Sequence, residues 1–596
     1  MTHNNDHLIH PNNAVTLHGL FLERVRLTPV SVAYRYFHDE NWRDITWVEA
    51  KRQVARWQAA LLSEGLSPGD RVGIMLRNSP EWVYFDQAAL SLGLVVVPFY
   101  TVDRPENVAF IANDAEIRVL LFENQWKYLK QVAEELVSVK RFISLSENDG
   151  ENDARLIHAS CWLPEEAELI DVPMDKDALA TVIYTSGTTG HPKGVMLSHH
   201  NILSNAYKGL LCFPIGGGDV MLSFLPLSHS FERTVGYYIS IMAGSTIAFS
   251  RSIQFLLDDM QAIRPTVLVS VPRIYERIYN SIRTNLEKAK PLSRMLFKLA
   301  QKTGWDRFLH EQGRGGWKFS FLLWPVLKPL VADKVLDRFG GRLRLSISGG
   351  APLQPVISKL FVSLGLNLLQ GYGLTETSPI ISANQIHANF PDSAGLPLEG
   401  IEVKIGEHDA LLVRSECNML GYWKNDDATR AMISDDGWLN TGDTARISES
   451  GHIYITGRIK EIIVMSNGEK VPPADMQHAI LRDSLFEQVM VCGEGRPGLV
   501  ALAVLNIDAW KKLAHELDLD PDSPESLKDR RAERKVLERI AAQVSEFPGY
   551  ARICRVLLLL EPWSIENGLL TPTLKLKRSK VQERFSKEVE EFYTRY

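Results

Sequence analysis

Eleven residues near the end of the first third of this chain could do chemistry together. Residues 184–194 read Tyr-Thr-Ser-Gly-Thr-Thr-Gly-His-Pro-Lys-Gly. Gly187 and Gly190 let the backbone bend so that its N–H groups turn inward. Thr185, Ser186, Thr188 and Thr189 add hydroxyl donors, and Lys193 adds a positive charge. Inward donors with a fixed cation make a cradle for a polyphosphate. The run is not a Walker A loop, because Pro192 precedes the lysine where that motif has glycine, and Gly194 replaces its Ser or Thr. The plainer reading is a Ser/Thr/Gly surface turn. The ordered alternation ending in Pro-Lys-Gly, directly after the apolar strand candidate Ala180–Tyr184, favours phosphate binding.

This loop resembles the signature of the adenylate-forming enzymes, the superfamily of acyl-CoA synthetases, peptide-synthetase adenylation domains and firefly luciferase. Further segments resemble that family's motifs in the family's order, from about Thr16 to Lys580. Ser348-Gly349-Gly350-Ala351-Pro352-Leu353 follows a strand candidate, and the resemblance gives Gly350, Ala351 and Pro352 to the adenine. A tight strand–helix connection with Pro352 at a helix start would use the same residues. In Gln370-Gly371-Tyr372-Gly373-Leu374-Thr375-Glu376-Thr377, the resemblance implies that Tyr372 stacks on adenine, Thr375 contacts the α-phosphate and Glu376 holds Mg²⁺. A hard cation takes carboxylate and phosphate oxygens together. In Gly437–Asp443 it implies that Asp443 binds both ribose hydroxyls, which suits a two-oxygen carboxylate. Arg458 matches the arginine that also reaches the ribose. Lys460 matches the hinge position, followed by Glu461 where the family often has Asp. Near the C-terminus, the Lys-x-x-Arg spacing from Lys575 to Arg578 assigns the catalytic lysine to Lys575 rather than Lys577. A run of basic residues is otherwise more often a solvated face.

Three stretches resemble the long-chain acyl-CoA synthetases of bacterial type: Phe224–Thr234, Asn467–Met476 and Asn567–Arg578. The first carries the acyl-pocket candidates His229, Phe231 and Arg233, with His229 placed to donate to the substrate carboxylate. Relatives with a tryptophan gate at the acyl tunnel carry it near Arg233, so that gate is absent or differently built here. The resemblance implies ATP-dependent activation of a long-chain fatty acid to an acyl-adenylate, then transfer to coenzyme A. ATP, Mg²⁺ and coenzyme A are the implied cofactor and substrates. Lys575 and Mg²⁺ on Glu376 would answer the charge that accumulates at the α-phosphorus. The C-terminal part would then swing about Lys460, bringing Ser466 and Gly468 toward coenzyme A. Two alternatives stand beside this reading. One is a ligase of the same fold that delivers the acyl group to an acyl-carrier protein. The other is a non-catalytic nucleotide-binding relative, against which the presence of Lys193, Glu376, Asp443, Arg458 and Lys575 weighs.

The elements that must position these residues alternate along the chain. β-Branched runs at Arg71–Leu76, Val95–Pro98, Val119–Phe122, Ala180–Tyr184, Val267–Val271 and Leu343–Ser348 read as strands. Thr46–Glu64, Pro80–Leu92 and Gln125–Val139 read as helices, and Ser526–Glu546 as a charge-dense one. Such alternation predicts an α/β fold with mixed or parallel sheets covered by helices. The expected organisation is a multi-subdomain N-terminal body over 1–456, a hinge over 457–461 and a small mobile α+β cap over 462–596. Between core segments, 288–340 places Trp305, Phe308, Trp317 and Trp324 among basic residues. Two readings are open for it: a helical hairpin packed on the body, or a peripheral membrane contact.

Length and composition bound the rest. The chain has 596 residues, enough for about four compact units at roughly 150 residues each. With 45% hydrophobic and 23% charged residues it is an ordinary globular chain. Its net charge of −6 gives no support to nucleic-acid binding. The five cysteines form no CxxC pair, which fits a reducing compartment. Neither a secretory leader nor a spanning segment is visible: the charge-free stretches Gln87–Val102 and Thr234–Ser250 read as buried helix–turn–strand pieces. The expected location is cytoplasmic, with the membrane's inner face as a docking place if 288–340 contacts lipid.

Overall fold

The computed structural model describes residues 8–147, 153–185, 192–571 and 575–594. By internal contacts the chain divides into two compact units. The larger comprises Met1–Val403, Val413–Leu439 and Ile447–Tyr454; the smaller comprises Lys404–Leu412, Asn440–Arg446 and Ile455–Tyr596.

Two sheets organise the larger unit. In the first, nine strands lie in the order Leu396–Pro397, Ile380–Ala383, Asn367–Gly373, Leu345–Ser348, Val267–Ser270, Val220–Ser223, Thr246–Phe249, Val32–His38 and Asn41–Thr46. Its interior pairings are parallel and both ends are antiparallel. In the second, eight strands run Gly421–Tyr422, Lys193–Ser198, Leu179–Thr185, Val95–Pro98, Arg71–Met75, Ile117–Phe122, Arg141–Ser144 and Leu156–His158. All pairings from Leu179–Thr185 to Leu156–His158 are parallel. Every residue of Val95–Pro98 is buried, as expected of a parallel strand covered on both faces. The α/β class with mixed sheets is therefore observed.

Capping chemistry sets the helix starts. Thr46 and Glu49 form a capping box for Trp47–Ser63, and Ser79 caps Pro80–Ser91 with Pro80 at the first position. The charge-free stretches fold as helix–turn–strand, the second through a fully buried π-helical segment, Glu232–Tyr238, then Ile239–Ala243 and Thr246–Phe249. Three expectations shift. The Gln125–Val139 helix shrinks to Trp126–Leu129. Beyond it Val132, Glu135 and Val139 donate to carbonyls three residues back, so Leu129, Val132, Leu136 and Val139 are buried by 3₁₀-type turns. The helix after Leu353 starts at Pro355, not Pro352. In the smaller unit Asp529 caps the charge-dense helix, which is thereby confined to Arg530–Gln543.

The 288–340 region packs as helices. Ala300, Phe308, Trp324, Leu327, Ala332 and Phe339 join a core with Tyr275, Phe361 and Leu368. Helix Pro291–Glu311 lies so close to Pro355–Ser363 that a Cβ on Gly304 would meet the Ser363 carbonyl oxygen at 1.7 Å. In the same region Trp317, Phe319, Leu322, Leu323, Val326 and Leu330 are exposed, Phe319 at 83%. Among the described residues no helix is long and apolar enough to cross a membrane.

The strands Glu402–Ile405, Ala410–Arg414, Leu439–Ile447 and Ile453–Arg458 pair in that order, with most of their residues in the smaller unit. A three-stranded sheet, Phe486–Cys492, Leu499–Leu505 and Ile553–Leu559, carries its main core around Trp510, Val536 and Ile540.

Candidate active site

In the larger unit the described ends of the phosphate-loop candidate lie on two paired strands. Thr185 ends one strand and Lys193 begins the next, and the two are directly opposed in the antiparallel ladder. Ser186, Gly187, Thr188, Thr189 and Gly190 lie outside the described residues. Lys193 directs its ammonium over the Tyr422 ring, 5.0 Å from the centroid.

The acyl-pocket candidates meet the Gly-rich turns. The His229 Nδ1 accepts from the Phe231 amide at 3.1 Å, so a neutral ring carries its proton on Nε2. Ser230 and Thr375 bring their hydroxyls within 3.2 Å, and the Thr234 hydroxyl donates to the Ser378 carbonyl at 3.0 Å. Phe231 lies against Gly349, where a Cβ would meet the tip of the ring at 2.8 Å and force it to shift. Beyond it, Gly350, Ala351 and Pro352 are exposed, an open edge that a flat ring could reach. Tyr372 and Thr375 are half-buried.

Arg233 has other partners than an acyl chain. It is 1% exposed and bonds Asp86 at 2.5 Å and the Thr181 hydroxyl at 2.8 Å. Burial pushes the Asp86 carboxyl up, against the pull of the Arg233 charge. The pair is a sealed internal anchor for the π-helical segment. Its neighbour Glu232 is also buried: its Oε1 accepts from Ser223 at 2.6 Å, Oε2 has no partner among the described residues, and burial raises the carboxyl to about 8.

Glu376 stands in the turn Thr375–Thr377. Its Oε1 accepts from the Tyr422 hydroxyl at 2.8 Å, and among the described residues no bond reaches Oε2. Burial, the Glu376 charge and that hydrogen bond raise the Tyr422 phenol. Among the described residues no group of three or more His, Cys, Asp or Glu could hold a metal ion. A lone carboxylate with one open oxygen fits a magnesium ion that draws most of its ligands from water and a nucleotide's phosphates.

In the smaller unit Asp443 is buried in Leu439–Ile447 and accepts from Arg458 Nε at 2.9 Å. The Asp443 amide donates to Thr441 Oγ1 at 3.2 Å. Lys460 falls in the 3₁₀ turn Ile459–Glu461. Ser466 and Gly468 are exposed in the turn joining Ile463–Val464 to Lys470–Val471. Lys575 is exposed and is bonded to Thr571 both ways: its carbonyl accepts from the Thr571 amide at 2.8 Å and its amide donates to the Thr571 hydroxyl at 3.0 Å. Arg578, three residues on, donates to Gln477 and to the Val491 carbonyl.

The sequence reading missed Tyr422 and the Asp86 partner of Arg233. Neither has a local signal, since Tyr422 is 46 residues from Glu376 and Asp86 is 147 from Arg233.

A family model described as AMP-binding enzyme matches residues 21–423, and one described as AMP-binding enzyme C-terminal domain matches 460–596. The long-chain-fatty-acid–CoA ligase FadD15 of Mycobacterium tuberculosis is 31% identical over 602 residues, covering 97% of each chain. The long-chain-fatty-acid–[acyl-carrier-protein] ligase AEE15, chloroplastic, of Arabidopsis thaliana is 29% identical over 94% of this chain and 84% of its own. Among solved structures, the anthranilate CoA ligase AuaEII in complex with anthranoyl-AMP superposes with a TM-score of 0.74 at 18% identity, covering 96% of this chain and 98% of that one. At that identity the likeness shows the fold alone.

Proposed function

The chain belongs to the AMP-binding enzyme family, and from that premise we propose that it joins a long-chain fatty acid to coenzyme A at the expense of ATP, releasing AMP and pyrophosphate. The end-to-end likeness to FadD15, at 31% identity over 97% of both chains, carries the reading. The clustering of His229, Phe231, Thr375 and Glu376 in one region of the larger unit supports it.

The fatty carboxylate is already ionised at neutral pH and needs no general base. His229 Nε2–H orients it. A carboxylate oxygen bonds to the α-phosphorus of ATP, the bond from that phosphorus to the bridging oxygen breaks, and pyrophosphate leaves with the electron pair. Lys575 and Thr375 stabilise the charge that grows on the α-phosphoryl oxygens. Lys193 and the 185–190 loop hold the departing pyrophosphate, while Tyr372 and Gly350–Pro352 hold adenine and Asp443 with Arg458 holds the ribose. A magnesium ion on Glu376 would supply Lewis-acid neutralisation of the phosphate oxygens. In the second step the coenzyme A thiol gives up its proton to solvent, its sulfur bonds to the acyl carbon, the bond from that carbon to the phosphate oxygen breaks, and AMP leaves with the electron pair. Lys460 acts as the hinge between the steps, and Ser466 and Gly468 line the coenzyme A side. Lys575→Ala is expected to lower acyl-adenylate formation by more than about 100-fold, while thiolation of supplied acyl-adenylate persists. Equal loss of both steps would contradict the role of Lys575.

The relative AEE15 favours a second acceptor, the thiol of an acyl-carrier protein. AMP release measured with coenzyme A and with carrier protein separates the two. The reading also extends to a lipid surface at the cytoplasmic membrane face. Region 288–340 holds eleven basic and four acidic residues in a chain of net charge −6, beside the exposed Trp317, Phe319 and Leu322. Such a basic, aromatic face suits anionic headgroups. Phe319→Ser with Leu322→Ser should abolish co-sedimentation with anionic phospholipid vesicles; native-level co-sedimentation rejects the membrane role.

A further inference from the structure

Resting on the reading of Glu376 and Lys193 given above, we propose that Tyr422 is a positioning residue that fixes these two side chains relative to each other, so that one triphosphate meets a metal-facing carboxylate and a phosphate-facing ammonium as a preset pair.

The backbone around Tyr422 is built for this. Gly421–Tyr422 pairs with Met196 and Val195 at the edge of the second sheet. Gly421 has a φ of +143°, and a Cβ there would meet Thr429 Cγ2 at 2.9 Å. The Tyr422 amide donates to Thr429 Oγ1 at 2.9 Å. On one side the Met419 amide donates to the Glu376 carbonyl at 2.8 Å; on the other the Trp423 amide donates to the Gly194 carbonyl at 2.7 Å. Residues 419–423 thus tie the Glu376 backbone to that of the residue after Lys193.

The side chain repeats the same link. The Tyr422 hydroxyl lies 2.8 Å from Glu376 Oε1 and 2.9 Å from Met432 Sδ. A phenol has a single proton to donate, and a carboxylate is a far better acceptor than a thioether. The proton therefore goes to Oε1, which restrains the carboxylate and leaves Oε2 without a partner among the described residues. The face of the same ring holds the Lys193 ammonium at 5.0 Å, a cation–π contact strengthened where water is excluded; Tyr422 is 5% exposed. The edge donor and the ring face are separable by substitution: Tyr422→Phe removes only the donor, and Tyr422→Leu removes both.

The test reads binding in the full chain by two titrations. Mn²⁺ bound to the complex with α,β-methylene-ATP is counted by electron paramagnetic resonance, and nucleotide affinity in EDTA is measured by calorimetry. Tyr422→Phe is expected to weaken Mn²⁺ binding about tenfold, the order of one hydrogen bond to a charged group, with nucleotide affinity in EDTA and the melting temperature unchanged. Tyr422→Leu is expected to add a several-fold loss of nucleotide affinity in EDTA, through Lys193. Glu376→Gln is the control. If Glu376→Gln leaves Mn²⁺ binding native, the assignment of Glu376 fails. If Glu376→Gln weakens Mn²⁺ binding and Tyr422→Phe does not, the positioning role of Tyr422 is overturned.

Discussion

The larger unit contains two clusters made of the same parts: a carboxylate, a cation and aromatic rings. Around Arg233 they are Asp86, Trp82 and Tyr238, with the guanidinium 5.3 Å and 5.8 Å from the ring centroids. Around Lys193 they are Glu376 and Tyr422. The first cluster is sealed, and its charges are spent on each other. In the second, the carboxylate is half-buried and keeps an oxygen without a partner among the described residues. Residue type does not separate architecture from chemistry here; access and unused bonding capacity do.

Substitutions at the open cluster should cost function, and those at the sealed cluster stability. The largest effect is expected at the open cluster. Lys193→Ala and Glu376→Gln should each lower acid-dependent pyrophosphate release by about 100-fold or more, while melting temperatures stay near that of the native chain. A large melting shift without a rate loss would place this cluster with the sealed one. At the sealed cluster Asp86→Ala strands a buried guanidinium and should cost about 3–5 kcal/mol in denaturant unfolding. Adding Arg233→Met should recover most of that cost; no recovery would show that the pair is not what Asp86 supports.

The smallest effect concerns Glu232, beside the sealed pair. Burial holds its carboxyl at about 8 against a reference of 4.5, so the native chain keeps a proton that the unfolded chain releases. The raised value makes native stability greatest below about 4.5 and lowers it as pH climbs through 8. Glu232→Gln carries no such proton. Its melting temperature should match the native chain near pH 4.5 and exceed it by several degrees at pH 8.5. Parallel melting curves across that range would mean that Glu232 is ionised in the fold.

The contrast also explains what the sequence could disclose. Strands such as Val95–Pro98 and Val267–Ser270 announce themselves because burial on both faces demands continuous β-branched runs. Glu376, Thr375 and His229 stand in short glycine- or proline-marked turns whose residues are contiguous in sequence. Arg233 shows the limit of that kind of reading. It shares a run with His229 and Phe231, yet a π-helical turn carries it inward to Asp86, a partner fixed only by the packing of a distant helix. Tyr422 is the opposite case, a residue with no motif of its own that a two-residue edge strand delivers to Glu376. Gln125–Val139 misled because a spacing of three or four apolar positions serves successive 3₁₀-type turns as well as an α-helix.

Joining of a long-chain acid to coenzyme A underlies every role assigned above. Pyrophosphate and AMP release by the purified chain, measured over short-, medium- and long-chain fatty acids with and without coenzyme A, tests it most directly. Pyrophosphate release should depend on a long-chain acid, with AMP and acyl thioester accumulating over many turnovers only when coenzyme A is present. Release that ignores acid length, or turnover only with a carrier-protein thiol, would contradict it.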